Sequence, residues 1–456
     1  MNIFNKIKAD IKEAPFKRVV MPLVILLIGF LARVWWIRTI PTDQLYDFDA
    51  YYRIAKNIFE GKGFTYEGAP IAFQGMFYSW SLGMLFKVFG SASVGLAKWF
   101  NVIYGTLTIA LVYKIVLKMT TQNENANTLA LVTMAITAFL PHHIAYCNTT
   151  GTEIQMAFLL ALLIYIQVSD LNDKWKYPLL GVLTGICALI KPFYLAYPVI
   201  IGFSEWMMNK NLKRSAIKGL LVWMVMAAVI SPWTYRNYKA FGRFIPVSYN
   251  SGFNLYINNN PNNVHGGWMS FEDLYKTDEI EVIIDTHLEN GNKSIKLASD
   301  IEVDLKPYAV QWIKENPEEF AKLGLIRVHS TYFNGAWDID AWTMNRLADK
   351  PTELTTKEVE RNRNAFRALN DILLSILSGF SLVFIMLGIP SVFMSIVSPK
   401  RKLDQSIVLL FMNLAFPSIV FFVYEGQPRY NQSLLFLMII VVVLTSDKIK
   451  KMYQSN

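Results

Sequence analysis

Two carboxylates separated by one residue, Asp47 and Asp49, follow the first long apolar stretch of the chain, in the segment LYDFDAYYRIAKNIFEGKGF. A carboxylate in a partly buried site can have a raised pKa and accept a proton from a hydroxyl group. We therefore expect this pair to supply a general base. Residues i and i+2 do not share a helical face, so both reach one site only from a loop or a helix start. Asp49 could instead cap the helix that follows.

Other charged residues recur where apolar segments end. Charges beside an apolar membrane core are costly and commonly mark function. An arginine offers planar, bidentate donors that suit a phosphate group. For Glu153 and Lys191 a structural ion network is the alternative. The basic candidates are Lys191, Arg236 and Arg429, the last followed by Tyr430, and the acidic ones are Glu153 and Glu425.

Aromatic residues surround the two aspartates. Tyr51 and Tyr52 could line a sugar pocket, or they could belong to the aromatic belt of a membrane interface. Gly61, Gly63 and Gly75 are typical of turns or of close approach between chain segments. The histidines and carboxylates do not have metal-ligand spacing, so no metal site and no cofactor are expected. Asp47, Asp49 and Glu153 could bind a divalent cation, but no pattern indicates one.

The composition identifies the elements that must position these residues. Of 456 residues, 53% are hydrophobic and 14% aromatic, and the mean hydropathy is +0.29. This is too apolar for an ordinary water-soluble protein, and we interpret the chain as an all-α polytopic membrane protein with the lipid bilayer as a partner. The net charge of +9 comes from basic runs beside apolar segments, where they set topology. No nucleic-acid partner is expected.

A helix needs about 20 mainly apolar residues to cross a bilayer, and about ten segments approach that length. The predicted spans are 19–39, 94–118, 128–146, 153–169, 177–190, 192–208, 216–235, 369–396, 406–423 and 431–447. With the N-terminus in the cytoplasm, every strong basic loop lies inside. The apolar segment 72–89 would invert this arrangement if it crossed the membrane, so we interpret it as a juxtamembrane helix on the outer surface.

This topology divides the chain into three parts. Residues 1–236 form an N-terminal transmembrane module whose first outer loop, 41–93, carries the candidate base. Residues 237–367 form a small, mostly helical extracytoplasmic region, in which Asn316-Pro317 separates two helices. Residues 368–456 form the C-terminal transmembrane helices. The candidate site residues then lie at the outer ends of the spans.

The order of these motifs resembles the GT-C fold glycosyltransferases, and more narrowly the bacterial relatives of protein O-mannosyltransferases and of the lipid A aminoarabinose transferase. The segments that carry the resemblance are DFDAYYRIAKNIFEGKGFTY, TGTEIQMAFLLALLIY, Lys191-Pro192, SPWTYRNYKAFGRF and EGQPRYNQ. The resemblance implies an essential aspartate four residues before a tyrosine, which is Asp47 before Tyr51, with Asp49 as the second choice. It also implies that Arg429 and Tyr430 contact the phosphate of a lipid-linked donor, with Lys191 and Arg236 as further candidates.

The function that this resemblance implies is sugar transfer from a polyprenyl-phosphate-linked donor to a hydroxyl group of a glycan, a lipid or a protein. We expect an inverting reaction on the outer face of the cytoplasmic membrane, with Tyr51, Tyr52, Glu153 and Glu425 near the substrates. Two alternatives from other classes are a transporter or flippase for a lipid-linked glycan and a noncatalytic subunit of an envelope-assembly complex. A transporter would place charges near the membrane midplane, in discontinuous helices.

Overall fold

The computed structural model describes residues 16–40, 42, 44–274, 278–334, 356–398 and 400–455. Outside these ranges lie residues 1–15, residues 41 and 43 of the first outer loop, residues 275–277 and 335–355 of the extracytoplasmic region, and residues 399 and 456. The described chain is almost entirely helical, as predicted, with one antiparallel hairpin of two-residue strands.

The N-terminal module contains the helices that surround the first outer loop. A π-helical turn, Phe16–Val20, leads into α1. In the loop, α2 is followed by the hairpin of β1 and β2, in which Thr65 pairs with Pro70, and then by α3. The bounds are α1 Met21–Thr39, α2 Asp47–Phe59, β1 Thr65–Tyr66, β2 Ala69–Pro70, α3 Phe77–Phe89, α4 Val94–Met119, α5 Ala126–Phe139, α6 Pro141–Ala145, α7 Glu153–Val168, α8 Asp173–Ile190, α9 Tyr197–Asn209 and α10 Leu212–Phe241.

The helices between Ser251 and Phe333 form a layer that we call the outer layer, and the last membrane helices follow it in the chain. The predicted break at Asn316-Pro317 is confirmed, because α14 ends at Glu315 and α15 begins at Pro317, the position where a helix accepts proline. The bounds are α11 Ser251–Asn258, α12 Phe271–Leu274, α13 Asp278–Glu289, α14 Ile301–Glu315, α15 Pro317–Phe333, α16 Thr356–Val397, α17 Gln405–Val423 and α18 Leu435–Ser455. Short 3-10 helices cover Tyr146–Asn148, Pro192–Ala196, Ile295–Leu297 and Pro428–Ser433.

Five described helices are long and apolar enough to cross a membrane: Phe16–Thr39, Val94–Met119, Leu212–Phe241, Ala368–Val397 and Gln405–Val423. A sixth span arises if α5 and the bent segment Pro141–Asn148 are counted together. These helices support a multi-pass membrane protein, while the total of about ten spans stays a prediction. The helix α3 has 13 residues, which is too short for a span, in keeping with its interpretation as a juxtamembrane helix.

Several of the predicted spans are not single straight helices, among them 128–146 and 192–208. The segment 128–146 bends by 52° between Phe139 and Pro141. The segment 192–208 begins as a 3-10 helix at Pro192 before α9 starts at Tyr197. Proline lacks the amide hydrogen that continues a helix and clashes with the preceding turn, which accounts for both breaks.

The basic loops meet at one end of the bundle. Lys118, at the end of α4, pairs with Asp170 after α7, and Arg214 at the start of α10 pairs with Asp173 at the start of α8. Gln405, at the start of α17, donates to the carbonyl of Gln167. The opposite ends of these same helices carry Glu153, Lys191 and the residues after Val423. The basic loops and the candidate site therefore lie at opposite ends of the bundle.

Candidate active site

The start of α2 is the element that positions the candidate base. Asp47 is the first residue of α2, and Tyr46 before it has φ 51° and ψ −117°, a conformation that residues other than glycine rarely adopt. The N-cap is Tyr46 and no described side chain caps this helix, so of the two alternatives for Asp49 the capping one is not observed. In the first turn, the free amide groups favour a negative charge. The local backbone therefore supports an ionised Asp47.

The segment 148–152 fixes this helix start against the membrane helices. The Thr150 hydroxyl donates to the carbonyl of Phe48 at 2.6 Å, and the Thr150 amide donates to the Gln44 side chain at 2.7 Å. Gly151 lies so close to the Phe48 ring that an added Cβ would be 2.4 Å from it. Only glycine allows this approach. Glu153, which begins α7, follows directly and is buried beside the same ring.

Asp47 is the centre of a group of four side chains drawn from four parts of the chain. Arg429 Nη2 donates to Asp47 Oδ2 at 2.5 Å. Gln74 Nε2 and Lys296 Nζ both donate to Oδ1, at 2.6 and 3.2 Å. We call Asp47, Gln74, Lys296 and Arg429 the Asp47 cluster. The carboxylate is 29% exposed, so the cluster is open to solvent or to a ligand on one side.

The charges of the cluster decide the ionisation of Asp47. Burial alone would raise the pKa of Asp47, but Arg429 and Lys296 outweigh it and hold the pKa well below its ordinary value. Burial opposes the charge of Arg429, but Asp47 and the nearby Tyr430 and Glu153 keep its pKa above the ordinary value. Asp47 and Arg429 therefore form a stable ion pair at neutral pH in this state.

Three predicted residues form a second layer around Arg429. Lys191 Nζ lies 4.9 Å from the centre of the Tyr430 ring, a cation–π contact. Burial lowers the pKa of Lys191, because a buried ammonium group is costly. An anionic partner beside it would stabilise its charged form. Glu425 accepts hydrogen bonds from Asn254 at 3.2 Å and from Gln427 at 2.5 Å. Its pKa is raised, chiefly by burial.

Several buried polar atoms beside the cluster have no hydrogen-bond partner within the described residues. They are Gln74 Oε1, Glu153 Oε2 and Arg429 Nε. Buried polar groups are nearly always paired, with protein or with water. Donors and acceptors in such surroundings are suited to a polar ligand. Tyr51, one helical turn after Asp47, is buried here and stacks edge-on against Tyr78 at 5.6 Å.

Two other predicted residues face away from the cluster. Asp49 pairs with Arg53 at 2.6 Å, on a solvent-facing side of α2. The Tyr52 hydroxyl donates to the carbonyl of Ala92 at 3.0 Å, and its ring packs on Phe86. The two contacts of Tyr52 tie α2 to α3 and to the loop after it. Neither side chain is brought to Asp47.

Arg236 also lies apart from the cluster. Its guanidinium donates to the carbonyls of Phe64 and Ile71, at 2.7 and 2.9 Å, and lies over the ring of Trp233 at 4.7 Å. Phe64 and Ile71 flank the β-hairpin, so Arg236 closes that loop from α10. Its donors are engaged by main-chain carbonyls, which is the environment of a structural arginine.

Gln74 and Lys296 were not identified from the sequence. Neither belongs to a spaced motif, and Lys296 is one of 44 basic residues in the chain. The one indirect signal was Gly75. An added Cβ there would lie 2.2 Å from the carbonyl oxygen of Ile190, so the chain at Gln74 packs directly on the end of α8, next to Lys191.

A buried arginine of the outer layer, Arg327 on α15, positions the loop that carries Arg429. Its Nη2 donates to the carbonyl of Phe422 at 2.6 Å, and its Nη1 donates to the carbonyl of Asn258 at 2.7 Å. Nearby, Asn431 donates to the carbonyl of Thr331, also on α15, at 2.7 Å. The loop between α17 and α18 is thus held at both of its ends by α15.

The donor set does not favour a metal ion. Within the ranges that the structure describes, no group of three His, Cys, Asp or Glu side chains is close enough to hold one. Asp47 faces two cationic side chains, which disfavour a third positive charge. The arrangement is better suited to binding an anion through Arg429, Lys296 and Lys191, beside a carboxylate that Arg429 and Lys296 keep ionised.

Comparison with known protein families finds one match. Residues 74–235, a little over a third of the chain, match the family described as dolichyl-phosphate-mannose-protein mannosyltransferase. The matched range includes Gln74, Glu153 and Lys191, whereas Asp47 and Arg429 lie outside it. No curated protein sequence matches the chain.

Two solved structures that resemble this chain do so at low sequence identity. The archaeal oligosaccharyltransferase AglB from Archaeoglobus fulgidus, in complex with an inhibitory peptide and a dolichol-phosphate, has a TM-score of 0.51 and 14% identity. The alignment covers 96% of this chain and 52% of AglB, so this chain spans about half of that protein's length. ArnT from Cupriavidus metallidurans bound to undecaprenyl phosphate has a TM-score of 0.42 and 12% identity, over 95% of this chain and 79% of ArnT.

The family match and the shared fold come from independent comparisons, one of sequence and one of structure, and they agree. Together they confirm the predicted resemblance: this chain has the fold of the GT-C membrane glycosyltransferases, and its residues 74–235 are similar to the family described as dolichyl-phosphate-mannose-protein mannosyltransferase.

Proposed function

We propose that this protein is an inverting glycosyltransferase that moves a sugar from a polyprenyl-phosphate-linked donor to a hydroxyl acceptor on the outer face of the cytoplasmic membrane. The observation that carries the proposal is the Asp47 cluster, in which one carboxylate meets two cationic side chains at the end of the bundle opposite the basic loops. By the positive-inside rule the basic end is cytoplasmic, which puts the cluster outside. The acceptor is a cell-envelope glycan, lipid or protein.

In the proposed reaction one bond forms and one bond breaks at the anomeric carbon of the donor sugar. The acceptor hydroxyl gives its proton to Asp47 while its oxygen forms a bond to the anomeric carbon of the donor sugar. The bond from that carbon to the phosphate oxygen breaks, and its electron pair leaves with the polyprenyl phosphate. Direct displacement inverts the anomeric centre and needs no second carboxylate as nucleophile.

Positive charge is needed where the leaving phosphate gains charge. Arg429 has an unpartnered Nε that can face a phosphate oxygen, and Lys191 lies over the adjacent Tyr430 ring. Such preorganised charges stabilise the transition state more than the ground state. Glu153, Glu425 and Tyr51 are then placed to contact sugar hydroxyls. Asp49, Tyr52 and Arg236 have structural contacts and are assigned no chemical role.

Two further observations support a lipid phosphate as part of the donor. The family that matches residues 74–235 is named for a dolichyl-phosphate-linked mannose, and AglB, which shares the fold, was solved with a dolichol-phosphate. The charged candidates also lie at helix ends, such as Glu153 and Lys191, which fits an enzyme at the membrane surface better than a transporter. The buried Arg33 of α1 is an exception, and it donates to carbonyls of Thr137 and Ala138 at the bend after α5.

The test uses the full chain in lipid nanodiscs with a panel of radiolabelled polyprenyl-phosphate hexoses and pentoses and an envelope extract as acceptor. We expect one donor to lose its label to the acceptor, with equimolar release of polyprenyl phosphate. If no donor is turned over, with or without divalent cation, the proposal that this protein is a glycosyltransferase is wrong. Accelerated movement of the intact donor between leaflets in proteoliposomes would then favour a flippase.

A further inference from the structure

Lys296 joins the outer helical layer to the Asp47 cluster. It is the middle residue of the 3-10 helix Ile295–Leu297, and its two neighbours, Ile295 and Leu297, are buried. The buried Tyr249 donates its hydroxyl to the Lys296 carbonyl at 2.5 Å. The main chain is therefore held in place, whereas the side chain is 27% exposed and has a flexible four-carbon stem. The ammonium group can move without moving the backbone.

Arg429 is held in a different way. It lies in the 3-10 helix Pro428–Ser433, and its guanidinium is 5.4 Å from the Phe48 ring centre and 5.7 Å from that of Tyr430. Its Nη2 bonds Asp47 while its Nε has no partner in the described structure. Arg429 can therefore face an incoming anion and keep its contact with Asp47.

The present pairing of Asp47 is unfavourable for a base. Arg429 and Lys296 hold its pKa well below the ordinary range, and a carboxylate so stabilised accepts a proton poorly. Gln74 also bonds Oδ1, and it is neutral, so it can keep the carboxylate oriented after a cation leaves. Lys296 is the longer and more exposed of the two contacts, so it can leave Asp47 with the least movement, and its loss removes one of the two positive charges that lower the pKa of Asp47.

We infer that the donor phosphate draws Lys296 away from Asp47 and shares Arg429 with it, so that Asp47 becomes a competent base only after the donor has bound. This inference rests on the proposed function. The phosphate of a sugar donor is a diester with one negative charge, and the released monoester carries about −1.5 to −2 at pH 7. The phosphate therefore competes with Asp47 for both cations, and competes more strongly as the glycosidic bond breaks.

The competition gives a binding test that needs no turnover. Polyprenyl phosphate, the reaction product, is titrated into the full chain in nanodiscs at pH 7. The variants are Asp47→Asn, Lys296→Gln, the double variant, and Lys293→Gln as a control, since Lys293 is exposed and three positions away. The thermal midpoint of each variant is measured in parallel to verify folding.

We expect Lys296→Gln to bind about tenfold more weakly than Lys293→Gln, the factor that corresponds to roughly 1.4 kcal/mol. Asp47→Asn removes the competing carboxylate and is expected to bind about tenfold more tightly than wild type. In the double variant this gain is smaller, because only Arg429 is then released. If Lys296 were purely structural, Asp47→Asn would give the same gain in affinity in the wild-type background and in the Lys296→Gln background.

Different outcomes contradict the proposed function and the inference about Lys296. Wild-type protein that binds no polyprenyl phosphate would contradict the proposed function itself. Wild-type binding with Lys296→Gln equal to the Lys293→Gln control, or with no gain in Asp47→Asn, would overturn the inference and leave the proposed function standing.

Discussion

Asp47 and Arg429 are 382 positions apart in the sequence, and their side chains are joined at 2.5 Å. The first residue comes from the start of α2, and the second from the loop between α17 and α18. The helices α4, α7 and α8 lie between them in the chain and build the bundle that brings them together. Segments that are far apart in the sequence thus form one site, and Lys296 of the outer layer also contacts Asp47.

The geometry of the guanidinium, beyond its charge, should matter at position 429. Arg429→Lys keeps the positive charge but loses the planar fork that can face Asp47 and a phosphate together. We expect sugar transfer to fall by about 100-fold, the scale for losing one preorganised donor in a transition state. Steady-state transfer by this variant in nanodiscs measures the effect. Arg53→Lys, on the exposed partner of Asp49, is the matched control and should stay within about twofold.

Arg236 should behave as a structural residue. Arg236→Gln removes hydrogen bonds to the carbonyls of Phe64 and Ile71 and the packing on Trp233. We expect a loss of about 1–3 kcal/mol in the free energy of unfolding, because the carbonyl of the buried Ile71 loses the hydrogen bond from Arg236 and the carbonyl of Phe64 keeps only the one from the Ile71 amide. Binding of polyprenyl phosphate by the folded variant should be unchanged. A large drop in that affinity without a loss of stability would assign Arg236 to the phosphate site after all.

Gly75 should be essential for placing Gln74. Gly75→Ala would put a Cβ 2.2 Å from the Ile190 carbonyl, so either the loop or the end of α8 must shift. We expect destabilisation of about 1–3 kcal/mol, as for overpacking, together with reduced transfer. Thermal unfolding and the transfer assay test both effects. Gly267→Ala is the control, because nothing lies within 4 Å of its added Cβ, and a similar loss there would refute the explanation by close packing.

Glu425 should give stability a specific pH dependence. Burial, as the largest influence, raises the pKa of this carboxyl in the folded state above its unfolded value of about 4.3. A raised acid pKa means that the folded state binds the proton more tightly, so the contribution of Glu425 to stability is greatest below the unfolded pKa. That contribution is lost as pH rises through the folded pKa.

Glu425→Gln imitates the protonated form at every pH. Its thermal midpoint relative to wild type is therefore expected to rise between pH 4 and pH 8. Glu281→Gln, at an exposed position, supplies the control and should show no such trend. A Glu425→Gln midpoint that falls relative to wild type over this range would contradict the raised pKa.

The sequence predicted the helical class, the grouping of the charged site residues at the helix ends opposite the basic loops, and the break at Asn316-Pro317. These features follow from apolar run length, charge cost and proline chemistry, which act locally. The sequence could not separate Arg236 from Arg429, since both follow apolar segments and both are arginines. Only packing shows that Arg236 meets main-chain carbonyls while Arg429 meets a carboxylate.

The contributions of Gln74 and Lys296 were also beyond the sequence. Each is a single polar residue in a loop, and its role depends on a contact across 27 or 249 positions. No local periodicity encodes such a contact. Similarly, Asp47 and Asp49 are equivalent as residue types, and the direction in which each points is set by the first turn of α2 and by the segment 148–152.

The most direct measurement is donor turnover by Asp47→Asn and Asp49→Asn, side by side in nanodiscs, with the thermal midpoint of each. Loss of a general base costs about 10²–10⁴ in rate. The account predicts a loss of that size for Asp47→Asn with a folded protein, and near wild-type turnover for Asp49→Asn, whose carboxylate faces Arg53. Full turnover by Asp47→Asn, or loss confined to Asp49→Asn, would contradict the assignment of Asp47 as the base.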